Sequence, residues 1–381
     1  MSRASDPISR RAVLISLAVS AVAALVLAQQ VLGLSFASAE AAPVQATTTR
    51  SAMFERQPIR RCVNIAAALE APPGENWGYT IRAEDFGRIR AAGFDTIRLP
   101  VKWSAYTGPG PDYAIDPRFL KSVDGHVDDA LRAGLQVMLN VHHFDRFNAR
   151  PDAQEARLAA IWRQLSTHFR DYPDALIFEL INEPHFDAVE GVGDEDYSRP
   201  TGIARMNRVN AALLSQIRRT NPDRWVVLGS SQWGSHYPMT EGVDGVRFAP
   251  DFDPRVITTF HFYEPMDFTH QDLEFADRPN LGRPWGTRAD HRAIADAFDA
   301  VSRFRAREGR DMPVLLGEFG TSTELSPRQR MQWTAAIRER SEAHAMGWCV
   351  FDFASPGFGM FDTATDRWDG DLLGALMPDR Y

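Results

Sequence analysis

The chain has 381 residues, of which 44% are hydrophobic and 24% are charged, and its formal net charge is −8. These values are typical of a globular protein, and barrels of alternating strands and helices reach this length as a single domain. The negative charge argues against nucleic acid or an anionic membrane as the main partner, because both bind basic surfaces.

The N-terminal segment has the pattern of an export signal. Ser9-Arg10-Arg11 precedes an apolar run from Ala12 to about Leu34, and Ala37-Ser38-Ala39 supplies the small residues of a cleavage site. The paired arginines favour twin-arginine export, and an ordinary secretory signal or an uncleaved membrane anchor are the alternatives. The predicted organisation is an export signal at 1–39, a linker at 40–58 and a folded domain at 59–381. The mature protein is expected in the periplasm or outside the cell, without a stable membrane partner.

From residue 60 onward, short apolar runs rich in β-branched residues alternate with amphipathic helical patterns. This alternation is typical of parallel strands joined by crossover helices. The predicted strands span residues 62–66, 94–99, 135–142, 175–182, 224–229, 256–263, 313–318 and 345–353. The predicted helices span residues 82–92, 117–133, 154–170, 202–219, 290–308 and 327–343. No helix is predicted between strands five and six, and a long loop is predicted at 264–289.

Eight strand–helix units favour a single closed (β/α)8 barrel, a TIM barrel of the α/β class, over an open doubly wound sheet. No Gly-x-Gly-x-x-Gly turn follows the first strand, which argues against a dinucleotide-binding fold. Active sites of such barrels lie at the C-terminal ends of the strands, so polar residues at those positions are the candidates for function.

Polar residues accumulate at the predicted strand ends. Each has a structural explanation on its own, such as a salt bridge or a helix cap. Together they place two carboxylates, Glu183 and Glu318, at corresponding ends of strands four and seven, and buried carboxylates are costly unless they are paired or used. Around the same opening the sequence places Arg98, His142, His143, Asn182, His261 and Tyr263.

Two carboxylates that face each other across a cleft are the working unit of glycoside hydrolysis. One must carry a proton for the departing glycosidic oxygen, and the other must stay ionised to attack the anomeric carbon. We predict that the charge of Arg98 holds Glu318 ionised, whereas neutral and aromatic neighbours raise the pKa of Glu183. Asn182, directly before Glu183, would donate a hydrogen bond to a sugar hydroxyl beside the reacting carbon.

These residues resemble glycoside hydrolase family 5, a group of cellulases, mannanases and related enzymes, from about residue 60 to 378. The matching motifs are Asn182-Glu183-Pro184, Gly317-Glu318-Phe319-Gly320, the strand-two Arg98, the strand-three His142 and the strand-six pair His261 and Tyr263. The resemblance implies a retaining enzyme in which Glu183 is the acid/base and Glu318 is the nucleophile.

Further motifs bear on the substrate. Leu69-Glu70-Ala71-Pro72 is similar to the first-strand loop of bacterial endoglucanases, and Phe268-Thr269-His270-Gln271 resembles a bacterial subgroup that cleaves β-glucans and β-mannans. We therefore predict an endo-β-1,4-glycanase acting on cellulose-type β-glucan, with a β-mannanase or xyloglucan hydrolase as the alternative. The chain departs from these relatives at Ala67, where the subgroup carries Asn. It also departs at Phe351, where the family carries a tryptophan that stacks on the sugar, and the smaller ring covers less of a pyranose.

Other functional classes find less support. A non-catalytic carbohydrate-binding barrel is the alternative from a different class, although both glutamates are present. Aldolase or phosphate chemistry would require a lysine at a strand end, and the only lysines are Lys102 and Lys121. No zinc-type ligand spacing accompanies His142 and His143, so we predict neither a metal nor a cofactor.

Several further residues have both a functional and a structural interpretation. Trp233 is predicted as a sugar-stacking platform, with loop packing as the alternative. Glu70 is predicted to contact substrate in the outer subsites, with a salt bridge to an arginine as the alternative, and His270 is predicted to line the same cleft. Cys62 and Cys349 lie on the first and last strands, where the geometry is usually poor for a disulfide, so we expect free buried thiols. We expect a monomer.

Overall fold

The computed structural model describes residues 52–186, 199–240, 253–273, 282–308 and 312–380. The predicted export signal and residues 40–51 of the predicted linker lie outside these ranges. Within them, no helix is long and apolar enough to cross a membrane. Phe54 is buried, and the guanidinium of Arg61 lies 5.4 Å from the centre of its ring. The folded domain therefore includes residues just before the first strand.

Eight parallel strands close into a barrel in chain order, and the pairing of the first strand with the last completes it. The barrel strands are β1 (Arg61–Asn64), β2 (Thr96–Leu99), β3 (Gln136–Asn140), β4 (Leu176–Glu179), β5 (Val226–Leu228), β6 (Val256–His261), β7 (Val314–Phe319) and β8 (Gly347–Val350). An antiparallel pair, β9 (Phe361–Asp362) and β10 (Arg367–Trp368), follows. The predicted (β/α)8 barrel is confirmed.

Helices connect the strands on the outside of the barrel. They are α1 (Ala83–Ala92), α2 (Pro117–Arg132), α3 (Asp145–Ala149), α4 (Pro151–His168), α5 (Arg199–Arg218), α6 (Tyr237–Thr240), α7 (Met266–Thr269), α8 (Arg288–Arg307), α9 (Pro327–Ala343) and α10 (Gly370–Leu376), with a 3-10 turn at Trp103–Tyr106. The short helices α6 and α7 lie in segments for which no helix was predicted. Four residues form about one turn, which is too short for an amphipathic repeat to show in the sequence.

The barrel interior is built in layers, because inward-facing side chains recur at every second residue of a strand. The layer nearer the N-terminal ends is apolar and is formed by Ile59, Cys62, Met138, Ile177, Val227, Ile257, Leu315 and Cys349. Two residues further along three of these strands lie Asn64, Asn140 and Glu179, all buried. The apolar interior thus changes to a polar layer directly beneath the barrel mouth.

Cys62 and Cys349 are partners in the register of β1 and β8, with Cα atoms 4.1 Å apart, and they form a disulfide. The prediction of two free thiols is therefore wrong. That prediction rested on the usual geometry of neighbouring parallel strands. Closure of this barrel instead places the two side chains opposite each other in its interior layer.

Replacing Cys349 with Ala removes a cross-link that restricts the unfolded chain. We expect the free energy of unfolding to fall by about 2–4 kcal/mol, as measured by urea unfolding without reductant. A reducing agent should lower the stability of the wild type to that of Cys349→Ala and leave the variant unchanged. Two free thiols in the unfolded, unreduced wild type would contradict the disulfide.

Candidate active site

Glu318 lies on β7, and Glu183 lies in the turn that follows β4. An oxygen of one carboxylate lies within 4.8 Å of an oxygen of the other and of a ring nitrogen of His261. Retaining glycosidases hold their carboxyl groups about 5–5.5 Å apart, whereas inverting enzymes need about 6.5–9.5 Å. The spacing of the two carboxylates fits the retaining geometry.

Glu183 has a φ of 43°, a left-handed conformation that is costly for this residue type and clusters at functional sites.

Glu318 is held as an anion. Burial alone would raise the pKa of its carboxyl group, but the charges of His261 and Arg98 lower it, and so do hydrogen bonds from Tyr263 and Arg98. Arg98 Nη1 donates to Oε1 at 2.5 Å, and the Tyr263 hydroxyl donates to Oε2 at 2.9 Å. The net effect is a pKa below the ordinary value of a glutamate, which is what a carboxylate nucleophile requires.

The pKa of Glu183 moves in the opposite direction. Burial and the negative charge of Glu318 raise it, and the hydrogen bond and charge of His261 offset only part of the rise. His261 Nδ1 lies 2.7 Å from Glu183 Oε1 and 3.7 Å from Glu318 Oε2, so this imidazole faces both carboxylates. Two carboxyl groups whose surroundings separate their pKa values in this way can serve as an acid and a nucleophile at one pH.

Arg98 is fully buried, and its donors meet acceptors on four side chains. Nε and Nη2 donate to the two oxygens of Glu179 at 2.6 and 3.0 Å. Nη1 donates to Asn64 at 2.8 Å as well as to Glu318, and Nη2 donates to Asn182 Oδ1 at 2.6 Å. Five contacts match the five N–H groups of a guanidinium. The contact with Asn182 Oδ1 leaves the Nδ2 donor of Asn182 directed away from Arg98.

Glu179 and Asn64 are site residues that the sequence motifs did not indicate. A pattern was available for Glu179, because it is a carboxylate within the apolar run of β4, four residues before Glu183. An even spacing on a strand places it on the inward face, where a carboxylate needs a partner. Asn64 shows no comparable pattern, because a single asparagine at a strand end is ordinary.

Glu70, His142 and His143 form a second cluster. Glu70 Oε1 accepts from the backbone N–H of Ala67 at 2.6 Å, and Oε2 lies 3.2 Å from His142 Nε2 and 3.8 Å from His143 Nε2. Burial raises the pKa of Glu70 to about 8 and lowers the pKa of His143 to about 4. Burial also lowers the pKa of His142 well below its ordinary value. These shifts favour neutral side chains throughout the cluster at neutral pH.

The ligand atoms of this cluster lie close enough together to hold a metal ion. The amide of Asn140 bears on that possibility, because its Oδ1 accepts from the Val101 N–H at 3.3 Å and its Nδ2 donates to Glu179 at 3.2 Å. The same Nδ2 lies 3.2 Å from His142 Nδ1, which must then be the acceptor. The proton of this neutral imidazole is therefore on Nε2, towards Glu70. That tautomer suits a hydrogen bond to a neutral polar ligand better than metal ligation.

The chain matches the model of a family described as Cellulase (glycosyl hydrolase family 5) over residues 62–354. The chain belongs to glycoside hydrolase family 5. The match covers all eight strands of the barrel apart from the first residue of β1, and it includes both carboxylates and the whole Arg98 network.

Similar proteins of this kind include endoglucanase H of Acetivibrio thermocellus, which is 29% identical over 84% of this chain and 33% of its own length. The cellulase/esterase CelE of the same organism is 30% identical over 82% of this chain and 39% of its own length. The chain thus spans about a third to two fifths of these two relatives. Structures of Thermotoga maritima Cel5A with cellobiose and with mannotriose are each 32% identical. Both align with 85% of this chain and 99% of theirs, with TM-scores of 0.76 and 0.75.

Trp233 forms an exposed aromatic surface beside the carboxylates of this family 5 barrel. The residue is 51% exposed, and its ring stacks on that of His185 with the ring centres 3.4 Å apart and the planes 5° from parallel. His185 Nδ1 in turn lies 2.9 Å from the backbone oxygen of Glu183. The tryptophan is therefore anchored to the same turn as Glu183, with one face covered by His185. The sequence motifs did not indicate His185.

Phe351 follows β8 and lies among other aromatic rings. Its ring centre is 6.5 Å from that of Tyr263 and 5.5 Å from that of Phe358. His270 is buried, with its ring 5.0 Å from Tyr263 and 5.3 Å from Phe358. His270 therefore supports the tyrosine that donates to Glu318, and Phe358 is a further aromatic residue that was not predicted at the site.

The raised pKa of Glu70 makes stability depend on pH. The folded protein keeps a proton that the unfolded chain loses near its ordinary pKa of 4.5, so stability present below that pH is lost as the pH rises towards 8. Glu70→Gln retains a neutral side chain and should be more stable than the wild type at pH 8–9, by at most about 5 kcal/mol. Urea unfolding across this pH range measures the difference.

Glu339→Gln is the matched control, because Glu339 is exposed on α9, where its carboxylate lies 3.2 Å from Arg338. Its stability should follow the pH dependence of the wild type. Parallel pH slopes for Glu70→Gln and the wild type would contradict a protonated Glu70.

Proposed function

We propose that the protein is a retaining endo-β-1,4-glucanase that hydrolyses cellulose-type β-glucan. The observation that carries the proposal is the carboxylate pair, whose oxygens approach within 4.8 Å and whose pKa values are displaced in opposite directions. Membership of the cellulase family and the similarity to proteins named endoglucanases support the same reaction. A non-catalytic sugar-binding barrel would have no need of two differently tuned glutamates.

In the first step Glu318 attacks the anomeric carbon while Glu183 gives its proton to the glycosidic oxygen. The bond between that oxygen and the anomeric carbon breaks, the shortened chain leaves, and the glycone stays bound to Glu318 as an ester. Arg98 and Tyr263 keep the attacking carboxylate ionised and oriented. Asn182 Nδ2, whose Oδ1 is engaged by Arg98, would donate to a sugar hydroxyl beside the reacting carbon.

In the second step the deprotonated Glu183 takes a proton from a water molecule. The oxygen of that water attacks the anomeric carbon and displaces the carboxylate of Glu318. The structure suggests why one residue can serve both steps. The charge of Glu318 is a cause of the raised pKa of Glu183. Ester formation removes that charge, so the pKa of Glu183 falls when a base is needed.

The preference among β-glycans follows from the cleft rather than from the carboxylates. Glucan is the favoured substrate, and a mixed glucan and mannan activity is supported by Thermotoga maritima Cel5A, which has been crystallised with cellobiose and with mannotriose. Phe351 offers a smaller stacking surface than tryptophan. A β-mannanase or a xyloglucan hydrolase remains the alternative.

We further propose that residues 1–39 direct export and are removed, and that 40–51 tether the domain before residue 52. The pattern Ser9-Arg10-Arg11 followed by an apolar run supports this proposal. An exported monomer without a metal, a cofactor or a stable membrane partner would suit a polymeric substrate outside the cytoplasm.

Glu183→Gln and Glu318→Gln separate the two roles. The leaving group of 2,4-dinitrophenyl β-cellobioside needs no protonation, so its first step depends on Glu318. We expect Glu318→Gln to lose roughly 10⁴-fold or more on this substrate and on polymer. Glu183→Gln should lose polymer turnover yet still release a burst of dinitrophenol, and azide should accelerate its second step. Glu339→Gln serves as the active control, and unchanged activity of Glu318→Gln would refute the assignment.

A reducing-sugar assay on carboxymethyl cellulose, glucomannan and xyloglucan tests the substrate class. We expect cleavage of carboxymethyl cellulose with early loss of viscosity, because an endo-acting enzyme cuts within the chain. Phe351→Trp should lower KM on cello-oligosaccharides, because the larger ring covers more of the sugar. Cleavage of only the aryl glycoside would exclude endo action, and cleavage of only glucomannan or xyloglucan would favour the alternatives.

A further inference from the structure

Glu179 is a buried carboxylate that is connected to the nucleophile Glu318 through Arg98, which donates hydrogen bonds to both. It ends β4 and lies in the polar layer beneath the barrel mouth. Its oxygens accept from Nε and Nη2 of Arg98 at 2.6 and 3.0 Å, and Asn140 Nδ2 adds a third bond at 3.2 Å. Neither step of the proposed mechanism uses this carboxylate.

The guanidinium of Arg98 donates more hydrogen bonds to Glu179 than to Glu318. A guanidinium binds a carboxylate most strongly through two parallel N–H groups, and Arg98 gives this two-point contact to Glu179. Glu318 receives one N–H, from Nη1, and its other oxygen accepts from Tyr263. Glu318 is therefore oriented by Arg98 without being held in a two-point ion pair.

A carboxylate nucleophile has to satisfy two opposed requirements. It must be ionised, but contacts that stabilise its anion are weakened when its oxygen bonds to carbon. If Arg98 paired with Glu318 alone, the full positive charge would act on the nucleophile and lower its basicity. The same pairing could occupy both of its oxygens.

We propose that Glu179 is a positioning residue that weakens the ion pair between Arg98 and the nucleophile Glu318. It occupies the two-point donor edge of the guanidinium, and it offsets part of the charge that Glu318 would otherwise experience. Glu179 touches no substrate in this scheme and acts only through Arg98. The inference rests on the proposed function of Glu318 as the nucleophile.

The charged and titratable groups that influence Glu318 come from several elements around the barrel mouth. They are Glu70, Arg98, His143, Glu183, His261, Tyr263 and Asp352. Of these, Arg98 is the group that bonds directly to Glu179. A change at Glu179 that leaves the others in place therefore reports on the path through Arg98.

Glu179→Gln preserves the size of the side chain and removes its charge. In protein labelled with ¹³C at the glutamate carboxyl groups, an NMR titration follows the ionisation of Glu318 without any substrate, and Glu318→Gln identifies its resonance. We expect the titration midpoint of Glu318 to fall by about one pH unit in Glu179→Gln, because the charge of Arg98 is no longer shared. An unchanged midpoint overturns the proposal.

The kinetic readout is the first step with 2,4-dinitrophenyl β-cellobioside, which bypasses the acid Glu183. We expect Glu179→Gln to slow this step at least roughly tenfold, as measured by kcat/KM, with the acidic limb of the pH profile of kcat/KM displaced to lower pH. Glu179→Asp restores the charge and should recover most of both effects. If the wild type cleaved neither this glycoside nor any of the three polymers, the glycosidase proposal would fail, and the NMR titration would still decide whether Glu179 acts on Glu318.

Asp253→Asn is the matched control, because Asp253 makes a two-point ion pair with Arg218 at 2.6 and 3.2 Å, outside the Arg98 network. It should lose stability without moving the acidic limb. If Glu179→Gln behaved in the same way, its role would be structural and the proposal would be wrong. If Glu179→Gln did not fold, Glu179→Ala, which also removes the charge and leaves room for water, would carry the NMR titration. A fall in the midpoint of Glu318 is the expected result, and an unchanged midpoint refutes the proposal.

Discussion

The site depends on one buried cation, the guanidinium of Arg98. Such a charge is costly in a protein interior unless its donors are used and its charge is balanced. Here the acceptors come from β1, from β4 and the turn after it, and from β7, and Arg98 and Glu318 are separated by 220 residues in the chain. These partners meet only when the barrel has closed. Assembly of the surroundings of Glu318, the proposed nucleophile, is therefore coupled to completion of the fold.

The pKa values of Glu183 and Glu318 shift in opposite directions although the two carboxylates share one small site. Both lose water on burial, which raises the pKa of each. Glu318 alone receives the direct bonds of Arg98 and Tyr263, and these reverse the effect of burial. Glu183 has the negative charge of Glu318 as a neighbour, so the protonation of Glu183 depends on the charge of Glu318.

The side chains of Glu70 and His142 lie together beside the carboxylate pair. Burial raises the pKa of Glu70 and lowers that of His142, so both shifts favour neutral side chains, which avoid the desolvation cost of buried charges. Trp233 and Phe351 add aromatic surfaces of different size around the carboxylates. In the proposed function the chemistry and the substrate preference are carried by separate residues, so one can vary while the other stays constant.

The sequence by itself determined the alternation of strands and helices, the closed barrel, and the placement of Glu183 and Glu318 at one mouth. Apolar β-branched runs, helical patterns and the strand ends can all be read along the chain. Only the tertiary structure decided the partners. Examples are the bond from Arg98 to Glu179, the contact of Glu70 with His142, and the disulfide between Cys62 and Cys349. Such pairs join strands that are far apart in the chain. Burial, which sets their charge states, arises only from the closed fold.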